Sequence, residues 1–124
     1  MKRLLAFLLF SALLSAAFSQ KATRWRGEYG NGIYAETGLL KSWPFGGPEE
    51  LWSFEALGKG HSSPVVSQGF LYANGMVGEA GMLFKFNLDG ELIWKKAYGP
   101  EFNSSYSGSR GSPVVAGNQI YLIS

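Results

Sequence analysis

The 124-residue sequence has no cysteine, a single histidine and few charges, with Asp, Glu, Lys and Arg together making up 16%. The missing cysteines exclude disulfide staples, thiolate metal sites and a lipidated cysteine behind a leader. The lone His61 has no second His or Cys to complete a metal site with it. No amphipathic helical pattern of useful length occurs, which excludes a helix bundle. One long apolar run is present, LLAFLLFSALL from Leu4 to Leu14.

That run sits in a leader. Lys2 and Arg3 precede it, and the small residues Ser15, Ala16, Ala17 and Ser19 follow it. Residues 1–19 therefore read as a secretory signal peptide, cleaved after Ser19 or after Ala17, and too short for a comfortable membrane span. No transmembrane span is expected after cleavage; an uncleaved N-terminal anchor is the alternative reading of the same segment. Removing Lys2 and Arg3 leaves nine Lys and Arg against nine Asp and Glu. No basic field remains to attract nucleic acid or acidic lipid. An exported chain without disulfides fits the bacterial envelope, in the periplasm or on the outer surface.

Seventeen glycines and 15% aromatic residues point to a β-rich domain with many tight turns. Residues 20–49 form an aromatic and Gly-rich lead-in, with Trp25, Tyr29 and Tyr34 expected to pack on the domain that follows. Pro44, Gly46, Gly47 and Pro48 exclude a continuing helix or central strand there. Strands are expected at 50–55, 62–67, 70–74, 82–88, 91–97, 112–116 and 119–123. Loops are expected at 75–81 and 98–111. The hairpin LFKFNLDGELIWKKAY, Leu83 to Tyr98, turns at Asp89-Gly90, a pair that tolerates the positive φ of a tight turn. The expected class is all-β.

The chain repeats itself. Leu51-Trp52 returns as Ile93-Trp94, 42 residues later. Ser62-Ser63-Pro64-Val65-Val66 returns as Gly111-Ser112-Pro113-Val114-Val115, and Phe70-Leu71-Tyr72 as Gln119-Ile120-Tyr121, both 49 residues later. The second copy thus carries a seven-residue insertion in the loop from Tyr98 to Arg110. Four strands per period of about 40–45 residues mark a β-propeller blade.

The pattern S-P-V-V, then x-Y, then D-G-x-x-x-W resembles the PQQ-like (pyrroloquinoline-quinone) β-propeller repeat family, over roughly residues 25–124. Gly90 and Trp94 hold the Gly and Trp of that family's Trp-docking motif; Lys85, Asn87, Asp89 and Glu91 depart from it. The resemblance implies four-stranded antiparallel blades, about one complete and two partial ones within residues 50–124. It implies blade-docking roles for Trp52, Gly90 and Trp94, and innermost strands at Ser62–Val66 and Ser112–Ala116. The chain is accordingly expected to be the N-terminal part of a longer propeller. The implied function is a binding or scaffold module of the cell envelope, whose partners are the remaining blades or an envelope protein. The alternative within the same resemblance is a dehydrogenase that oxidises alcohols or sugars with PQQ and calcium.

The residues themselves offer no nucleophile–base pair. Gly58-Lys59-Gly60 lacks the spacing and following helix of a phosphate loop. His61 and Arg110, each just before an inner strand, are the candidates to face a channel and hold a cofactor; a solvated turn and a surface loop are their plain readings. Asp89 is explained by turn geometry, and Glu49, Glu50 and Glu101 are expected to be solvated. Trp25, Trp43, Trp52 and Trp94 are expected to be core and docking aromatics.

Overall fold

The structure is a computed structural model that describes residues 21–124; the leader expected at 1–19 lies outside the described residues. Among the described residues the fold is all-β, with no helix and two antiparallel sheets. The strands are β1 (Ala22–Thr23), β2 (Val65–Ser67), β3 (Phe70–Val77), β4 (Ala80–Asn87), β5 (Leu92–Pro100), β6 (Val114–Ala116) and β7 (Gln119–Tyr121). One sheet is the meander β2-β3-β4-β5; the other has the order β1-β6-β7.

Local chemistry sets the turns. Gln68 and Gly69 both take positive φ, 53° and 76°, as a two-residue hairpin between Ser67 and Phe70 requires. The hairpin after β4 is built differently from the turn read in the sequence. Asp89 is not in the left-handed region; Gly90 alone is, at φ 88°. The amide of Gly90 donates to Asn87 O and that of Asn87 to Glu91 O, so the loop has three residues with glycine last.

The four-stranded sheet is covered on both faces. Register places Leu71 opposite Phe86 and Ala73 opposite Phe84, so these residues share one face. Phe84 and Phe86 are buried there and stack at 6.2 Å. Phe54 meets both edge-on, at 5.8 and 4.8 Å, and Trp52 lies 5.9 Å from Phe86. The other face carries Val65, Tyr72 and Trp94, which pack with Val115 and Ile120 of the second sheet. Lys85 lies among them, its ammonium 3.5 Å above the Phe70 ring.

Several expected boundaries are corrected. Residues 50–55 form no strand. Trp52 and Phe54 contribute side chains to the sheet face, while the backbone there has no ladder partner among the described residues. The loop expected at 75–81 is instead the end of β3, a turn at Gly78-Glu79 and the start of β4. Gly75 is needed in the strand because the Leu57 carbonyl crosses where its Cβ would be. β5 runs on to Pro100, three residues beyond its expected end. The aromatic lead-in does not bury its rings: Trp25, Tyr29, Tyr34 and Trp43 are all more than half exposed. It contributes β1, which pairs with β6 and is tied to β2 by the Ser67 hydroxyl on Thr23 Oγ1, 3.2 Å away.

Candidate functional site

β2 of one sheet lies beside β6 of the other, and the contacts flanking these two strands join repeat-equivalent residues. Gly60 and Ser109 form a parallel bridge, Ser63 N–H donates to Ser112 Oγ at 2.8 Å, and Gln68 Nε2 donates to Gly117 O at 2.8 Å. Each pair is 49 positions apart. β2 and β6 therefore run in the same direction and in register. His61 and Arg110 are equivalent in the same sense, and both face one cavity.

That cavity has a volume of about 490 Å³ and is lined by Arg24, Trp25, His61, Ser63, Arg110, Ser112 and Val114. The lead-in supplies Arg24 and Trp25, and the two repeats supply the matched pairs at 61/110 and 63/112. The Arg110 guanidinium is steadied by Ser105 O at 3.3 Å and Tyr106 O at 2.8 Å, and lies 4.7 Å from the Phe102 ring. Arg24 Nη2 donates to Glu28 O at 3.3 Å. The lining thus presents guanidinium, imidazole and hydroxyl donors against an indole and a valine, and no carboxylate. Chemically it can hold an electron-rich group by hydrogen bonds.

Behind the cavity wall the loop from Glu101 to Arg110 is fastened by a buried polar cluster. The Tyr98 hydroxyl donates to Glu101 Oε1, and Ser109 Oγ donates to the same oxygen at 2.8 Å. Asn74 Nδ2 reaches Tyr98 Oη at 3.3 Å and Gly111 O at 3.0 Å. Asn74, Glu101 and Ser109 are all buried. Burial above all, and next the bond to Glu101, raise the Tyr98 phenol above its ordinary range. The expectation that Glu101 is solvated is thus corrected: the ladder at β5 ends one residue earlier and turns its carboxylate inward.

The proposed docking residues occupy different surroundings. Trp52 lies on the β4–β5 turn, where a Cβ on Gly90 would come within 2.6 Å of the indole. Its Nε1 donates to Leu88 O at 3.0 Å. Trp94 is half-buried against Tyr72, at 6.4 Å, on the face that meets the second sheet.

The calcium implied by the dehydrogenase alternative does not fit the residues described. Calcium takes six to eight oxygen ligands, commonly carboxylates, whereas this lining is basic and carboxylate-free. Among the described residues no group of three or more His, Cys, Asp or Glu converges. Comparison with known proteins found no matching family model, curated protein or solved structure.

Proposed function

We propose that this chain is a binding or scaffold module, an exported PQQ-like β-propeller repeat protein of the bacterial envelope. The observation that supports it is the in-register apposition of repeat-equivalent residues. A fold that sets equivalent positions side by side builds its recognition surface from one residue per repeat, as repeat architectures do. The basic cavity at 61/110 and 63/112 is such a surface. Trp52 seated on the Gly90 turn supports the docking role that the resemblance gives it.

The test is in two parts. Cross-linking in intact envelopes, through a photoreactive residue placed at Ser63, is expected to capture a discrete envelope partner, and the same group at exposed Lys95 is not. Equal labelling from both positions, or labelling from neither, would count against the binding-module reading. Protein reconstituted with PQQ and calcium is expected to show no dye reduction with alcohols or sugars; turnover would establish the dehydrogenase instead.

A further inference from the structure

We infer that the cavity between the repeats binds a small organic anion, a carboxylate or phosphate monoester carried on a flat apolar body. The inference rests on the binding-module reading and names the class of ligand that site would take. Three features specify the ligand. Its charge follows from Arg24, Arg110 and His61 converging with no acidic side chain in the lining. The guanidinium fork suits oxyanions, and the protein acceptors described for Arg24 and Arg110 engage only one terminal nitrogen of each. Further N–H donors on each fork are available to a ligand. Ser112 Oγ already accepts from Ser63 N–H, so its own proton is directed elsewhere.

Size and shape supply the rest. A volume of about 490 Å³ exceeds an inorganic ion and lies in the range of small-molecule pockets, about 300–1,000 Å³. Trp25 and Val114 offer an indole and an aliphatic wall against which a flat body packs. Trp25 is 58% exposed, with the Arg26 guanidinium 5.8 Å from its ring centroid, so part of the indole is open to a ligand.

The experiment uses the intact chain and three probes: benzoate, phenyl phosphate and the neutral phenol. Calorimetry is expected to show saturable binding of one or both anions and none of phenol, and comparison of the two anions decides between carboxylate and phosphate. Amide shifts in an NMR titration are expected to centre on Trp25, Ser63 and Ser112. R24Q and R110Q are each expected to weaken binding about tenfold, the scale of one charge-assisted hydrogen bond. K95Q, remote from the cavity, is expected to leave affinity unchanged, and thermal unfolding checks that each variant folds. Phenol binding as tightly as benzoate, anion shifts centred elsewhere, no binding by either anion, or unchanged affinity in R24Q and R110Q would overturn the inference. Because these assays use the chain alone, their failure is distinct from a failed capture of an envelope partner.

Discussion

The backbone N–H of Ser63 donates to the hydroxyl of Ser112, 2.8 Å away and 49 positions later. That offset is the one at which the Ser-Pro-Val-Val segment recurs, so the two copies meet through their own equivalent residues. The bond lies near the midpoint between the Gly60–Ser109 bridge and the Gln68–Gly117 contact. It helps hold β2 and β6 in register.

Ser112→Ala removes the acceptor and strands a half-buried N–H, at a cost of about 1–3 kcal/mol. Ser112→Thr keeps the hydroxyl and is expected to stay close to the parent. Urea unfolding of both variants reads the difference. Equal stability of the alanine and threonine forms would show that the bond does not fasten the sheets.

Gly90 is constrained twice, by its φ of 88° and by the Trp52 ring over its Cα. Gly90→Ala is expected to cost about 1–3 kcal/mol from backbone strain, with the indole displaced as well. Trp52→Phe keeps most of the apolar cover but loses the N–H to Leu88 O, worth about 1 kcal/mol. A double-mutant cycle is expected to give a combined loss smaller than the sum, since both changes open the same contact. Strict additivity would mean that ring and turn do not support each other.

Alkaline pH tests the Tyr98 cluster. Burial and the Glu101 bond raise its phenol above the ordinary value of about 10. Between the unfolded and folded values the native state holds the extra proton. The associated stability is therefore complete below pH about 10 and declines as pH rises through the folded value. Denaturation midpoints measured from pH 8 to 11 are expected to fall more steeply for the parent than for Tyr98→Phe. Parallel curves would rule out a protonated Tyr98 as the source.

Glu101 accepts from both Tyr98 and Ser109 through one oxygen. Glu101→Ala removes the shared acceptor of the half-buried Tyr98 hydroxyl and the buried Ser109 hydroxyl; these lie 2.9 Å apart and one can still donate to the other, so one donor is left unmatched and the expected cost is about 1–3 kcal/mol. Glu101→Gln retains a carbonyl acceptor and is expected to lose less than half as much. Hydrogen exchange is expected to show residues 102–108 opening first in the alanine variant. Uniform loss of protection across β3 and β4 would place the role of Glu101 outside the loop.

Alternation and turn chemistry made the all-β class legible, and the doubled Ser-Pro-Val-Val landmark made the internal repeat legible. Both are properties of short segments: side-chain direction alternates along any strand, and Gln68-Gly69 carries its conformation locally. The leader expected at 1–19 rests likewise on a local pattern and lies outside the described residues. Sequence also drew attention to His61 and Arg110, although each looked like an isolated basic residue beside a strand. Their joint cavity depends on the lateral packing of β2 against β6, and on Arg24 and Trp25 arriving from a lead-in whose rings were expected to be buried. The fate of residues 50–55 was equally nonlocal, because alternation fixes which side chains share a face and leaves open whether the backbone finds a partner. Glu101 shows the same limit. A carboxylate in a polar loop reads as solvated until the fold brings Tyr98 and Ser109 within hydrogen-bond reach of it. Hydrogen bonds between residues distant in the chain are decided by packing, and the candidate site is made almost wholly of such contacts.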